Sequence, residues 1–238
     1  GARGTMGGGA MPEPSERRQF RRYPIQLPFV HKSKNPSSTV TGVGWTRDLS
    51  EGGACVELDR RLSAPVPLQV RLQTVRGAID VEVQVVWELE TRGGEAGPTK
   101  GGVLHGVAFS RLAPEQLQAL RDLIQSQKQE RRAAVRLPLE LAVTCQPKDT
   151  GGTPVQGRTE DMSRGGLLLR LSQDVPPGTV LELTLHPAGG PVTAEGEVVW
   201  VESPEKRTPG ESVRHGLRFT GLGVSAMMSL GLLLMEPA

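Results

Sequence analysis

At 238 residues, with 37% hydrophobic and 23% charged side chains, the chain has the make-up of a soluble globular protein long enough for two domains of roughly 100–150 residues. A net charge of +2 is too balanced for a protein that lives on duplex nucleic acid, and 3% aromatic residues leave few platforms for single strands. No apolar run is long enough to span a bilayer and no signal-peptide pattern opens the chain, so a cytoplasmic location is expected.

In chain order, residues 1–15 begin with a Gly-rich low-complexity stretch and are expected to be disordered. From Pro24 onward, short alternating apolar runs are broken by Gly, Pro and polar clusters. They predict strands over Ile25–His31, Val40–Thr46, Ala54–Leu58, Leu68–Leu72, Ile79–Leu89 and Val103–Phe109, with a turn at Arg76-Gly77 and a loop over Thr91–Gly102. A helix follows: Pro114 suits its first turn, and Leu117, Leu120, Leu123 and Ile124 form one apolar face that packs on the preceding strands. A second series of strands is predicted at Leu139–Cys145, Val155–Glu160, Leu167–Leu171, Val180–Leu185, Val192–Val201 and Arg214–Phe219. Six short strands per series argue for a closed antiparallel sheet, so the fold class is all-β, two six-stranded barrels in tandem, each followed by a helix. The last helix, Val224–Met235, carries no charge and is too short to cross a membrane. Being apolar on nearly every side, it is expected to bury itself against its own barrel, against the other domain, or in a homodimer contact with a second copy of the chain.

The two series are a duplication. Glu-Arg-Arg at Glu16–Arg18 returns at Glu130–Arg132, and Asp-Leu-Ser-Glu-Gly-Gly at Asp48–Gly53 returns as Asp-Met-Ser-Arg-Gly-Gly at Asp161–Gly166. His105–Phe109 returns at His215–Phe219. The offsets are 132 − 18 = 114, 161 − 48 = 113, 200 − 87 = 113 for two tryptophans and 215 − 105 = 110. A period this long means whole domains, 16–129 and 130–238, since solenoid repeats are shorter.

What repeats most faithfully builds sites rather than cores. An arginine fork matches phosphate oxygens and the O6/N7 edge of guanine. The Asp and Ser of Asp-x-Ser offer an acceptor and a hydroxyl, and paired glycines allow close ligand approach. The bland alternative is a strand-linking turn in which Asp and Ser bond the nearby backbone. His105 and His215 lack companion ligands and read as packed or hydrogen-bonded. Trp87 and Trp200 read as barrel-end core, Cys55 and Cys145 as buried reduced thiols, and Arg47, Arg158 and Arg164 as solvated surface. No catalytic or metal-ligand arrangement emerges, so neither an enzyme nor a cofactor is expected.

The ordered set Arg18-x-x-x-Arg22 with Asp48-x-Ser50-x-x-Gly53, then Arg132-x-x-x-Arg136 with Asp161-x-Ser163-x-x-Gly166, resembles the signature of the PilZ domain, twice over nearly the whole chain. That resemblance implies a bacterial cyclic di-GMP receptor. Arg18, Arg22, Arg132 and Arg136 would grip guanine and phosphate, while Asp48, Ser50, Gly52 and Gly53, with Asp161, Ser163, Gly165 and Gly166, contribute from the barrel. Arg17 and Arg131 hold the position the family associates with ligand number, and a long basic side chain there is compatible with a stacked pair of ligands. The output would pass to an unidentified downstream protein, without specific nucleic-acid binding. The rival expectation is a PilZ-fold interaction adaptor in which one or both repeats do not bind nucleotide.

Overall fold

Alternation of inward Val and Leu with outward polar residues closes each half of the chain into a barrel. A computed structural model of the protein describes residues 19–34, 40–62, 64–90, 102–130 and 134–235. The first barrel comprises β1 Pro28–Ser33, β2 Thr41–Leu49, β3 Gly53–Leu58, β4 Pro67–Thr74, β5 Gly77–Glu90 and β6 Val103–Arg111, closed in the order β1-β2-β3-β6-β5-β4. Helix α1, Pro114–Gln129, follows and buries Leu120, Leu123 and Ile124. The two-residue β7, Leu137–Pro138, lies beside β9 and leads into the second barrel. That barrel is built from β8 Ala142–Pro147, β9 Val155–Ser163, β10 Gly166–Leu171, β11 Val180–Leu185, β12 Val192–Val201 and β13 Val213–Phe219, and the pairing of β10 with β9 closes it. Helix α2, Val224–Met235, ends the described chain.

The predicted Ile25–His31 strand begins only at Pro28. Before it, a threonine hydroxyl replaces the ladder: Thr46 Oγ1 donates to Ile25 O at 2.6 Å and accepts from Leu27 N at 2.9 Å. Thr159 repeats the arrangement between Leu139 O and Leu141 N. Both hydroxyls are buried and satisfied, so each seals the chain entry of its barrel.

His105 and His215 are likewise built in as a pair. Their Nε2 atoms accept from Leu62 N at 3.0 Å and Val175 N at 3.1 Å, while Nδ1 lies on the Val103 and Val213 carbonyls. Each ring thus pins the loop after the third strand of its barrel, a structural job that accounts for its recurrence. Both cysteines are buried free thiols, with Cys145 pushed up to about 12 by burial.

The tryptophans correct an expectation. Trp87 and Trp200 are 40% and 43% exposed, and each indole lies against the glycine of Gly-x-x-Phe. A Cβ on Gly106 would stand 1.9 Å from Trp87 Nε1, and one on Gly216 would stand 2.1 Å from Trp200 Nε1. The cause is a register shift in β5 between Val85 and Trp87 and in β12 between Val198 and Trp200. One extra residue reverses the alternation and turns both rings outward. The buried tryptophan is Trp45, 1% exposed, whose Nε1 donates to Met227 O of α2 at 3.0 Å. Helix α2 lies across β1 and β2 of the first barrel while still touching β12 of its own. Within the chain, this apolar helix therefore packs on the other domain as well as on its own barrel.

His31 sits on the inward face of β1 beside Phe29, and neither ring nitrogen has a hydrogen-bond partner among the described residues. Burial pulls its imidazole from 6.5 down to about 4, with Asp59, Arg60 and His105 as smaller influences, and burial depresses His105 and His215 as well. The unfolded chain binds these protons below about pH 6.5 and the folded chain does not. Stability is therefore whole above pH 6.5 and is lost as the pH falls toward 4, by up to about 3 kcal/mol from His31 alone. By register the second barrel carries Cys145 where the first has His31, since they face Leu183 and Val70 respectively. Urea melts at pH 7 and pH 5 should show His31→Cys more stable than the parent, with the gap wider at pH 5. A gap that does not widen refutes a buried neutral His31.

Candidate functional site

The hairpin between β2 and β3 carries the first Asp-x-Ser-x-x-Gly. Arg22 Nη1 meets Asp48 Oδ1 at 2.8 Å, and the same oxygen accepts from Cys55 N at 3.0 Å across the hairpin. The hairpin between β9 and β10 repeats the pair, with Arg136 Nη1 on Asp161 Oδ1 at 2.6 Å. In both repeats, then, the second arginine of Arg-x-x-x-Arg docks on the aspartate of Asp-x-Ser. All four side chains remain partly open to solvent. The two arginine segments also run side by side: Gln26 and Ala134 form a parallel bridge, with Val135 N on Gln26 O at 3.4 Å. Arg17, Arg18, Arg131 and Arg132 lie outside the described residues.

The serines and glycines divide by role. Ser50 Oγ accepts from Gly52 N at 3.2 Å and Gly53 N at 3.1 Å, and Ser163 Oγ accepts from Gly165 N at 3.3 Å. Each hydroxyl therefore ties its own turn, as the bland reading of Asp-x-Ser had it. Gly53 and Gly166 are required by barrel closure: a Cβ would stand 2.2 Å from Val107 O or 2.0 Å from Leu217 O on the neighbouring strand. At Gly52 a Cβ would meet the Phe20 ring at 2.6 Å, whereas at Gly165 the nearest atom is Ser163 Oγ at 4.0 Å. The structure therefore brings together Arg22, Asp48, Ser50, Gly52 and Gly53 in one cluster, and Arg136, Asp161, Ser163, Gly165 and Gly166 in another.

The residue between Ser and Gly-Gly differs between repeats, and it selects each turn's neighbour. Glu51 reaches Arg121 of α1 at 3.0 Å. Arg164 crosses to the first barrel and pairs with Glu57 on β3, where Arg47 Nη1 also lies 3.3 Å from Oε2. Arg164 is 1% exposed, so the expectation of a solvated arginine there is wrong; Arg158 is exposed as expected. Burial lowers the Arg164 pKa and Glu57 partly restores it. The sequence held a signal for this contact: Glu57 interrupts an apolar run, Ala54–Leu58, where a charge requires a partner. Cys55, on the same face, is pushed up to about 11 by burial and by Asp48, against the pull of Arg22 and Arg47. It is a structural thiol rather than a reactive one.

The arrangement offers cationic forks, carboxylate acceptors and no hydrolytic or redox constellation among the described residues. No group of three or more His, Cys, Asp or Glu there could hold a metal ion. No described helix is long and apolar enough to cross a membrane.

The PilZ domain family model matches the chain twice, over residues 16–126 and 130–236. No curated protein matches. Among solved structures, the chain is similar to the PilZ domain with c-di-GMP of YcgR from Escherichia coli, at 20% identity over 49% of this chain and 95% of that one, with a TM-score of 0.39. It is also similar to the Bacillus subtilis inhibitor of motility MotI/DgrA, at 10% identity over 89% and 95%, TM-score 0.35. A third is the K. pneumonia MrkH–c-di-GMP complex, at 12% identity over 88% and 86%, TM-score 0.35.

Proposed function

The chain belongs to the PilZ domain family, and from that premise we propose that it is a non-enzymatic, cytoplasmic receptor for cyclic di-GMP with one site on each barrel. The observation that carries this reading is the recurrence of one ion pair, Arg22–Asp48 and Arg136–Asp161, at matching hairpins. In the free protein each guanidinium is held ready by a carboxylate. A guanine offers O6 and N7 acceptors to the arginine and N–H donors to the aspartate, so the ligand replaces one charge-assisted contact with several. Arg17, Arg18, Arg131 and Arg132 supply further positive charge from the preceding segments. PilZ-domain structures with c-di-GMP, such as that of YcgR, support the ligand class.

Signalling follows from where the second hairpin sits. Its turn, Ser163–Gly166, carries Arg164 into the first barrel, and the Arg136 segment runs beside the first arginine segment. A ligand that pulls on Arg136 and this turn shifts the two barrels relative to each other, and a downstream protein reads the change.

Calorimetric titration with cyclic di-GMP, with GTP as control, tests the assignment. Arg22→Ala and Arg136→Ala should each weaken binding at their own repeat by roughly thirty-fold or more, and the double variant should not bind. Normal binding by the double variant would show that the residues are misassigned. Small-angle scattering of the wild type should change on saturation. An unchanged curve removes the reorientation step and favours an adaptor whose output does not depend on nucleotide.

A further inference from the structure

Each barrel carries a one-residue bulge immediately before its candidate aspartate. The extra residue is Arg47 in β2, between Thr46 and Asp48, and Glu160 in β9, between Thr159 and Asp161. A bulged residue has no partner in the ladder, and here a charge on a neighbouring strand holds it. The signs are exchanged between the repeats. Arg47 Nη1 lies 3.3 Å from Glu57 of β3, whereas Glu160 is held by Arg170 of β10 and by Arg214 of β13 at 3.1 Å. The second clamp is built within its own barrel. The first shares its carboxylate, because Arg164 reaches Glu57 from the Ser163–Gly166 turn of the other hairpin. One buried carboxylate thus joins the bulge beside Asp48 to the turn beside Asp161.

A carboxylate only 5% exposed must keep a cation, since leaving it bare is the costly state. Two arginines serve Glu57, so it can yield one but not both. Arg47 is 27% exposed and adjoins Asp48 in the chain, where a phosphate at the first site can draw it away. Arg164 is 1% exposed, and a ligand that pulls on its turn lifts it from Glu57. Once the first site has taken Arg47, Glu57 depends on Arg164 and the second turn is held down. Once the second site has lifted Arg164, Glu57 keeps Arg47 and withholds it from the first. By linkage the two effects are equal.

We propose that Glu57 couples the two cyclic di-GMP sites with negative sign, so that ligand at either one weakens binding at the other. The proposal rests on the receptor reading above and adds a regulation to it. Saturation spreads over a wider range of ligand concentration than independent sites would give, and the half-occupied chain becomes a populated state of its own.

Calorimetric titration of the full chain with cyclic di-GMP tests the coupling. Arg136→Ala reports the first site alone and Arg22→Ala the second. In the wild type the weaker step should lie roughly ten-fold below the weaker of those two affinities. Arg164→Met with Glu57→Met removes both buried charges together. In that background the gap should vanish when the steps are compared with the same two alanine variants. Wild-type steps that match the single-site affinities, or a second step stronger than they are, overturn the coupling and leave the receptor standing. A gap that persists in the doubly substituted chain overturns the role of Glu57. Loss of all binding in either alanine variant removes the premise of two sites, and a wild type that does not bind removes the receptor reading itself.

Discussion

Arg164→Ala should destabilise the protein by about 3–5 kcal/mol. The guanidinium and the Glu57 carboxylate are 1% and 5% exposed, so truncating the arginine strands a carboxylate that water cannot reach. Arg47, 3.3 Å away and partly open to solvent, tempers the loss and places it toward the lower figure. Replacing both partners, Arg164→Met with Glu57→Met, should restore most of the stability, because it is the orphaned charge that is costly rather than the missing attraction. A double-mutant cycle in urea measures this directly. An Arg164→Ala protein within about 1 kcal/mol of wild type contradicts the buried pair. The same pair ties the barrels together, so its loss should also split thermal unfolding into two resolved steps. Trp45 and α2 then remain as the principal contact between the domains.

The second large effect separates two adjacent glycines. Gly166→Ala should cost upwards of about 3 kcal/mol, since its Cβ would stand 2.0 Å from Leu217 O, a backbone atom of β13 that cannot give way without opening the β10–β13 ladder. Gly53→Ala should do the same to the first barrel, against Val107 O. Gly165→Ala meets no atom closer than 4.0 Å and needs no special backbone angle, so its melting temperature should stay close to wild type. If ligand passes close over that turn, Gly165→Ala instead loses affinity for cyclic di-GMP. Thermal melts of the three variants, followed by titration of those that fold, separate glycines that close the barrel from one that admits the ligand. Equal stability of Gly165→Ala and Gly166→Ala contradicts this division.

Much was legible in the chain before any fold was known, because it is written in local chemistry. Period-two alternation broken by Gly and Pro marks strands whatever surrounds them, and landmarks recurring at 110–114 residues announce two copies of one domain. The motif order put Arg22 and Asp48 in one candidate site and Arg136 and Asp161 in another, but the direct ion pair within each is read only from the structure. Other features depended on what lies across a sheet or between barrels. Trp87 and Trp200 follow the inward phase in sequence, and only the bulge beside them turns them outward. Trp45 looks like one more strand residue until α2 arrives from 182 positions away to cover it. Glu51 and Arg164 occupy the same place in two copies of one turn, yet one binds its own helix and the other the opposite barrel. Strand period and turn chemistry are properties of neighbouring residues, so the sequence alone determined two barrels and their motif hairpins. Bulge phase, helix docking and the partner of a buried charge depend on residues far apart in the chain, and those only the tertiary structure decided.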